Sequence, residues 1–173
     1  PGTCTFYGTA NTNQMLMELM GLHVPGASFV PPNCALRDQL TKETVKQVME
    51  WSKQQNFERS LAKLVDERSI VNALVGLMAT GGSTNLVIHL IAIAKAAGIE
   101  LTLDDISDIS AITPLLVRLY PNGSADVNKF HSLGGTAYLI SELLDNGYLH
   151  DDIPTIHPDG MSAYRMTPCL DND

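Results

Sequence analysis

The chain has 173 residues, of which 45% are hydrophobic and 17% are charged. This composition is typical of a packed soluble chain, and it excludes a disordered polypeptide and a membrane protein. The 11 basic and 19 acidic side chains give a formal net charge of −8, which argues against nucleic acid and anionic lipid as partners. Cys4, Cys34 and Cys169 form no even disulfide framework and no C-x-x-C pair, so we expect a reducing, cytoplasmic location.

The two ends of the sequence predict a section of a longer protein. The chain opens at Pro1 without the charged and apolar regions of a signal peptide. It closes on residues 168–173, which carry no helix or strand pattern. We therefore expect further polypeptide beyond both ends.

Apolar residues recur at helical spacing along most of the chain, while residues 22–38 hold three prolines and predict an irregular crossing segment. The first predicted helices are residues 11–20 before Gly21, residues 41–55 with Thr41 as N-cap, and a helix capped by Ser69. Further helices are predicted at residues 86–94 running on to Gly98 and at residues 102–110 with a Thr102–Asp105 capping box. The last two are a short helix capped by Ser124 and residues 135–146 closed by Gly147. Val45, Val48 and Met49 share one face of the second of these helices.

Two segments indicate that a β-sheet belongs to the same fold. Residues 86–94 are apolar nearly all round, which predicts a helix buried on most sides, with His89 as a hydrogen-bonded core residue. The stretch is shorter than the roughly 20 residues that cross a bilayer. Residues 115–119 are the best strand candidate. Together these segments predict a helix-rich fragment of an α/β protein whose sheet is mostly supplied elsewhere.

The first candidate for chemistry is Cys4, which lies in a Gly- and Thr-rich loop that leads into the first predicted helix. A cysteine just ahead of a helix N-terminus feels the positive end of the helix dipole, which favours the thiolate that a nucleophile or a metal ligand requires. Small neighbouring residues would let a bulky inorganic cofactor approach the backbone N–H groups. The alternative interpretation is a buried free cysteine in a tight turn.

The second candidate is the Gly-Gly-Ser-Thr-Asn segment at residues 81–85, where the apolar helix begins. Its backbone N–H groups and hydroxyls suit an anion. It lacks the lysine of a P-loop and the spacing of a dinucleotide fingerprint, so nucleotide binding is not indicated. The alternative is a helix N-cap in which the glycines permit close packing.

The remaining polar residues indicate no further centre. The four histidines outside the apolar helix lie near predicted loops or helix ends and lack zinc-site spacing, so we expect no mononuclear zinc site. The acidic groups at residues 104–105, 151–152 and 171–173 lack EF-hand spacing and are predicted to be solvated surface.

Separated blocks of the sequence resemble the dihydroxy-acid/6-phosphogluconate dehydratase family and follow one another in the family's order. The blocks are residues 2–11 (Gly-Thr-Cys-Thr-Phe-Tyr-Gly-Thr-Ala-Asn), 64–67, 79–85, 89–94, 103–105, 120–123 and 134–135. The Thr-Phe-Tyr-Gly that follows Cys4 departs from the Gly-Gly-Met-Tyr of the dihydroxy-acid branch. With residues 120–123, 125–128 and 156–173, it is similar to the phosphogluconate branch.

The resemblance implies a three-layer α/β/α N-terminal domain. Residues 1–152 would belong to its cluster-binding part, and residues 153–173 would lead towards a C-terminal domain outside the chain. It also implies a [4Fe-4S] cluster and Mg²⁺ in the full-length enzyme, with Cys4 as one cluster ligand. The other cluster cysteines and most Mg²⁺ ligands are expected upstream of the chain, and a serine base downstream. Cys34 and Cys169 are not expected to be ligands.

The same resemblance implies that the full-length enzyme, expected to be a homodimer, removes water from 6-phosphogluconate to give 2-dehydro-3-deoxy-6-phosphogluconate. The expected partner is a small sugar acid, with neither nucleic acid nor a membrane involved. The chain alone is expected to be inactive and to hold no cluster. Two alternatives stay open, namely a dehydratase of another sugar acid or dihydroxy acid, and a non-catalytic helical module that binds proteins.

Overall fold

A computed structural model describes residues 4–55 and 57–170 of the chain, and more than half of these residues are helical. The α-helices are α1 (Thr9–Leu19), α2 (Ala35–Lys53), α3 (Leu61–Leu64), α4 (Glu67–Ala79), α5 (Asn85–Ala96), α6 (Leu103–Ile112), α7 (Val127–Ser132) and α8 (Gly135–Asp145). Short 3₁₀ helices lie at Phe57–Arg59 and Gly160–Arg165. The helix-rich class predicted from the sequence is therefore confirmed.

Helix α4 lies at the centre of the hydrophobic core. It packs against α1, α5 and α6, while α8 contacts α1, α7 and the 3₁₀ helix Gly160–Arg165. Gly76 allows α1 and α4 to approach closely, because a Cβ atom there would lie 2.5 Å from Cδ1 of the fully buried Leu19. The packed pair α1–α4 thus supports residues 4–8, the loop that leads into α1.

Several predicted helix ends are confirmed. The side chain of Thr102 accepts a hydrogen bond from the backbone N–H of Asp105 at 3.2 Å, and the backbone N–H of Thr102 donates to the Asp105 carboxylate at 2.8 Å. This is the reciprocal capping box that the sequence predicts at the start of α6. Gly21, Gly98 and Gly147 follow α1, α5 and α8 with φ angles of +70°, +78° and +72°.

The predicted start of α2 is wrong by six residues. Thr41 is not an N-cap, because α2 already begins at Ala35 and Cys34 occupies the N-cap position. The Thr41 hydroxyl instead donates to the backbone carbonyl of Arg37, four residues back in the same helix, at 2.8 Å. A hydroxyl residue bonded in this way has no capping role, whatever its position in the pattern.

Two further N-caps also differ from the predicted residues. The N-cap of α4 is Asp66, whose carboxylate accepts the Ser69 backbone N–H at 2.8 Å, so Ser69 is the third helical residue and completes the capping box from inside. The N-cap of α7 is Asp126, two residues after the predicted Ser124. In both places a carboxylate close in sequence to the predicted serine fills the N-cap position.

The strand predicted at residues 115–119 does not form. Within residues 4–55 and 57–170, the one β-interaction is an isolated parallel bridge between Leu119 and Ala125. The backbone N–H groups of Leu116 and Val117 donate to the carbonyl of Ala79 at 2.8 and 3.0 Å. These donors bond to the end of α4 because the described chain offers no neighbouring strand.

Helix α5 is less buried than its composition predicts. Leu86, Leu90 and Ala94 are buried, in a stripe that faces α4 and α1, but the Ile88 side chain is 70% exposed. His89 is exposed as well, so the prediction of a core histidine is wrong. The other faces of α5 have no covering layer in the described part of the chain. No helix among the described residues is long and apolar enough to cross a membrane.

Candidate functional site

The structure brings the two candidate segments together. Residues 4–8 (the Cys4 loop) lead into α1, and residues 80–85 (the glycine turn) lead into α5. The Thr9 hydroxyl is hydrogen-bonded to the Ser83 hydroxyl at 2.9 Å and accepts the Asn85 side-chain amide at 2.8 Å. The Ser83 backbone N–H donates to the Thr12 hydroxyl at 3.2 Å. Two segments more than 70 residues apart in sequence thus form one surface at the N-terminal ends of α1 and α5.

The glycine turn packs tightly against α1. A Cβ atom on Gly82 would lie 2.6 Å from Thr12 Cγ2 of α1 and 2.8 Å from Leu77 Cδ1 of α4. A larger residue would therefore push the turn away from α1 and α4. The side-chain amide of Asn122 donates to the Gly81 carbonyl at 3.0 Å and holds the other side of the turn. The geometry supports the close-packing interpretation for Gly82, whereas a Cβ atom on Gly81 would lie 3.4 Å or more from its neighbours.

Tyr7 anchors the Cys4 loop to the core. Its ring is buried, its hydroxyl is hydrogen-bonded to the Thr80 hydroxyl at 2.9 Å, and its backbone N–H donates to the Tyr120 carbonyl at 2.9 Å. Burial raises the pKa of Tyr7 to about 12, although hydrogen bonds from neighbouring hydroxyls oppose that shift. Tyr7 is therefore a neutral structural anchor and not a base.

Asn11 in the first turn of α1 is the second anchor of the Cys4 loop. Its side-chain amide donates two hydrogen bonds, to the backbone carbonyls of Cys4 and Phe6, both at 2.7 Å. Asn11 is 5% exposed. Asn11 belongs to a sequence block that resembles the family, but its spacing alone predicts no role for it. The available signal was an asparagine on the apolar face of an amphipathic helix, because a buried amide requires partners.

Cys4 itself is a free, exposed thiol, so the interpretation as a buried free cysteine is wrong. Its Sγ atom lies 3.8 Å from the Phe6 carbonyl oxygen, a weak contact. The residue precedes Gly8, the N-cap of α1, by four positions. Cys34 and Cys169 are also free: the former is half-buried at the start of α2, and the latter is exposed.

The donor chemistry around Cys4 fits one ligand of a metal cluster. A free, exposed thiol supplies one thiolate, the ligand that iron–sulfur clusters use. Among the described residues, no group of three or more His, Cys, Asp or Glu side chains is placed to hold a metal ion. The further ligands of such a cluster would therefore have to come from other parts of a longer protein.

Glu18 is a buried carboxyl group at the opposite end of α1. Its oxygens accept the backbone N–H groups of Gly26 at 2.9 Å and Ser28 at 2.7 Å, and thereby hold the crossing segment. Burial raises the pKa of Glu18 to about 7, against the opposing effects of these hydrogen bonds and of Arg37. Glu18 lies at the far end of α1 from the Cys4 loop and binds the crossing segment, which indicates a structural role.

The acidic groups lie on the surface where the structure describes them. Asp104 and Asp105 are exposed in the first turn of α6. Asp151 and Asp152 are exposed, and Asp152 pairs with Arg68 at 2.6 Å. The acidic group at 171–173 lies outside the described residues.

Comparison of the sequence with known proteins shows the family of the chain. The profile described as "Dihydroxy-acid/6-phosphogluconate dehydratase N-terminal" matches residues 1–164. The chain therefore belongs to the dihydroxy-acid/6-phosphogluconate dehydratase family.

The similar proteins include phosphogluconate dehydratases and a dihydroxy-acid dehydratase. The chain is 54% identical over 172 residues to phosphogluconate dehydratase of Pseudomonas aeruginosa and 58% identical over 166 residues to that of Rhizobium meliloti. These alignments cover 99% and 96% of the chain but 28% and 27% of the relatives. Dihydroxy-acid dehydratase of Metallosphaera sedula is 39% identical over 156 residues, or 90% of the chain and 28% of the relative. The chain thus spans little more than a quarter of the length of these relatives.

Proposed function

We propose that the chain is part of an enzyme that dehydrates 6-phosphogluconate to 2-dehydro-3-deoxy-6-phosphogluconate. The observation that carries the proposal is the identity of 51–58% to phosphogluconate dehydratases against 39% to a dihydroxy-acid dehydratase. The difference supports the phosphogluconate branch, as does the Thr-Phe-Tyr-Gly sequence after Cys4. The substrate would be a small sugar acid bound by the longer protein, which we expect to be a cytoplasmic homodimer.

The fold we propose for the longer protein is the three-layer α/β/α domain. Residues 1–152 would form part of its cluster-binding region, and residues 153–173 would lead towards the C-terminal domain. The exposed apolar side chains of α5, of which Ile88 is 70% exposed, support a further layer against this helix. The sheet itself would come from polypeptide outside residues 1–173.

Cys4 is the residue that we propose as a ligand of the [4Fe-4S] cluster. When bound, such a cluster supplies a Lewis acid that polarises the hydroxyl leaving from C3 of the sugar acid. This chain's part is to present the thiolate: Tyr7 and Asn11 fix the Cys4 loop, and the Thr9–Ser83 contact fixes the glycine turn beside it. The remaining cluster ligands, most Mg²⁺ ligands and the base that removes the C2 proton would come from outside the chain, which alone would be inactive.

Substrate assays of the longer protein test the proposal. We expect formation of a 2-keto acid from 6-phosphogluconate and not from dihydroxyisovalerate; the opposite preference would place the protein in the other branch. The isolated chain should show neither activity nor stoichiometric iron and sulfide.

The Cys4→Ser variant tests the ligand assignment in the same protein. Loss of one thiolate ligand should strip or destabilise the cluster, seen as lost visible absorption and lower iron content. Cys34→Ser is the matched control, because Cys34 occupies the N-cap position of α2, where serine is well tolerated, and its thiol donates to the Pro31 carbonyl at 3.1 Å. Unchanged absorption and iron in Cys4→Ser would refute the assignment.

A further inference from the structure

We infer that Asn11 is a positioning residue for the cluster ligand Cys4. By holding the backbone of the Cys4 loop, it enables the loop to carry a thiolate. The inference rests on the proposed role of Cys4 and adds a residue to it. Asn11 would touch neither the cluster nor the substrate. It would act through the two backbone carbonyls of the loop that its amide binds.

The geometry of Asn11 is that of a two-point clamp. Both hydrogen bonds leave the same side-chain nitrogen and reach the carbonyl oxygens of Cys4 and Phe6 at 2.7 Å. The amide is held rigidly, because Asn11 lies on the buried face of α1, which packs against α4. A rigid donor that binds two carbonyls two residues apart sets the orientation of the peptide groups between them.

The peptide orientations agree with this clamp. In a trans peptide the carbonyl of one residue and the N–H of the next point in opposite directions. With the Phe6 carbonyl turned to Asn11, the Tyr7 N–H must point the other way, and it donates to Tyr120. By the same rule the Thr5 N–H points away from Asn11, because the Cys4 carbonyl is bound there.

The clamp matters for a thiolate because of the oxygen that faces it. The Phe6 carbonyl oxygen lies 3.8 Å from Cys4 Sγ and carries a partial negative charge. Once the thiol has lost its proton, this oxygen repels the sulfur. The Gly8 backbone N–H already donates to this oxygen at 3.0 Å, and the shorter bond from Asn11 at 2.7 Å offsets more of its negative charge and keeps it from turning further towards the sulfur. Removing the amide would therefore weaken ligation without removing a ligand.

The test is Asn11→Asp in the cluster-loaded full-length protein, compared with Asn13→Asp. Aspartate has nearly the shape of asparagine but replaces the NH₂ donor with an oxygen that faces two carbonyl oxygens. Asn13 is exposed on the same helix, so its variant carries the same change in charge. Iron content after dialysis, the visible spectrum, the midpoint potential of the cluster and the thermal midpoint are measured for each.

We expect Asn11→Asp to retain iron about 10- to 100-fold more weakly and to shift the spectrum and the potential, as loss of an outer-layer partner of a metal ligand does. Asn13→Asp should match the parent protein. If Asn11→Asp lowers the thermal midpoint so far that it is unfolded, Asn11→Ser, which removes the amide without adding charge, is measured instead.

Three outcomes separate this inference from the proposed function. A cluster that persists in Cys4→Ser overturns the assignment of Cys4 itself. Loss of the cluster in Cys4→Ser, with a normal spectrum, potential and iron retention in the folded Asn11 variant, overturns the role of Asn11. A lower thermal midpoint with an unaltered cluster shows that Asn11 stabilises the fold alone, and that also overturns the inference.

Discussion

At the scale of single residues, buried polar side chains of α1 decide how the segments around it are held. Asn11 in the first turn binds two carbonyls of the Cys4 loop, and Glu18 in the last full turn binds two N–H groups of the crossing segment. At one end of the helix an amide donor meets two carbonyl acceptors, and at the other end a carboxyl acceptor meets two N–H donors. A buried polar group of the wrong kind would leave its partners unsatisfied, which costs about 1–3 kcal/mol.

We predict that the stability of this chain falls relative to its Glu18→Gln variant as the pH rises from 4.5 to above 7. The folded chain binds the Glu18 proton more tightly than the unfolded chain does, because burial raises the pKa of the carboxyl from 4.5 to about 7. The associated stabilisation is complete below pH 4.5 and is lost as the pH rises through about 7. The loss should approach about 3 kcal/mol in the free energy of unfolding from urea titrations.

The variant also changes the stability by a constant amount, because glutamine presents an NH₂ group to one of the two N–H donors. We therefore compare how the free energies of unfolding change with pH and not their absolute values. Glu100→Gln, at an exposed position, is the control and should follow the parent chain. A difference between parent and Glu18→Gln that is the same at pH 4.5 and pH 8 would contradict the prediction.

At the scale of elements, helix ends follow local chemistry when both partners of a cap lie within one turn. The Thr102–Asp105 capping box is of this kind, and the sequence predicts it correctly. At α4 and α7 the sequence pattern predicts serine caps, whereas a nearby aspartate takes the N-cap position. Short-range patterns thus predict that a helix starts nearby. They do not predict which residue caps it when two side-chain oxygens within a few residues can both accept the free N–H groups of the first turn.

Thr102→Ala should destabilise the chain by about 1 kcal/mol, because it removes the acceptor for the Asp105 N–H and the partner of the Asp105 carboxylate. Thermal or urea unfolding measures the loss. Ser110→Ala, at an exposed position in the same helix, should change the stability by no more than about 0.5 kcal/mol. Equal effects of the two substitutions would show that the cap contributes nothing.

At the scale of the whole molecule, large apolar side chains are exposed on several helices, including α2 and α5. The predicted apolar face of α2 exists, but Val45, Val48 and Met49 are 55%, 53% and 54% exposed. Ile88 on α5 is 70% exposed. Apolar surface of this kind in an isolated chain promotes association.

We predict that the isolated chain associates with itself as its concentration rises, seen as an increasing average mass in sedimentation experiments. Replacing Val45 and Met49 together by lysine should lower this association, because it places charges within the exposed face of α2. The control replaces Ser107 and Ser110, exposed polar residues of α6, by lysine and adds the same charge. If both double variants associate as strongly as the parent chain, the face of α2 is not responsible.

Features that depend on neighbours within a few residues follow from the amino-acid sequence alone. These include most helical segments, the glycine stops after α1, α5 and α8, the capping box of α6, and the two segments that make up the candidate site. The family resemblance is of the same kind, because it depends on residue identity in short blocks.

Features that need a partner distant in sequence depend on how the helices pack. Residues 115–119 have the composition of a strand, but a strand forms only beside another strand. Here the N–H groups of Leu116 and Val117 bond to the end of α4. The exposure of His89 depends on what covers α5, which its own helical pattern does not contain. The packing of α1 against α4 and α5 fixes where the polar side chains of α1 and α5 point. The contact between Thr9 and Ser83 and the clamp of Asn11 on the Cys4 loop both depend on this packing.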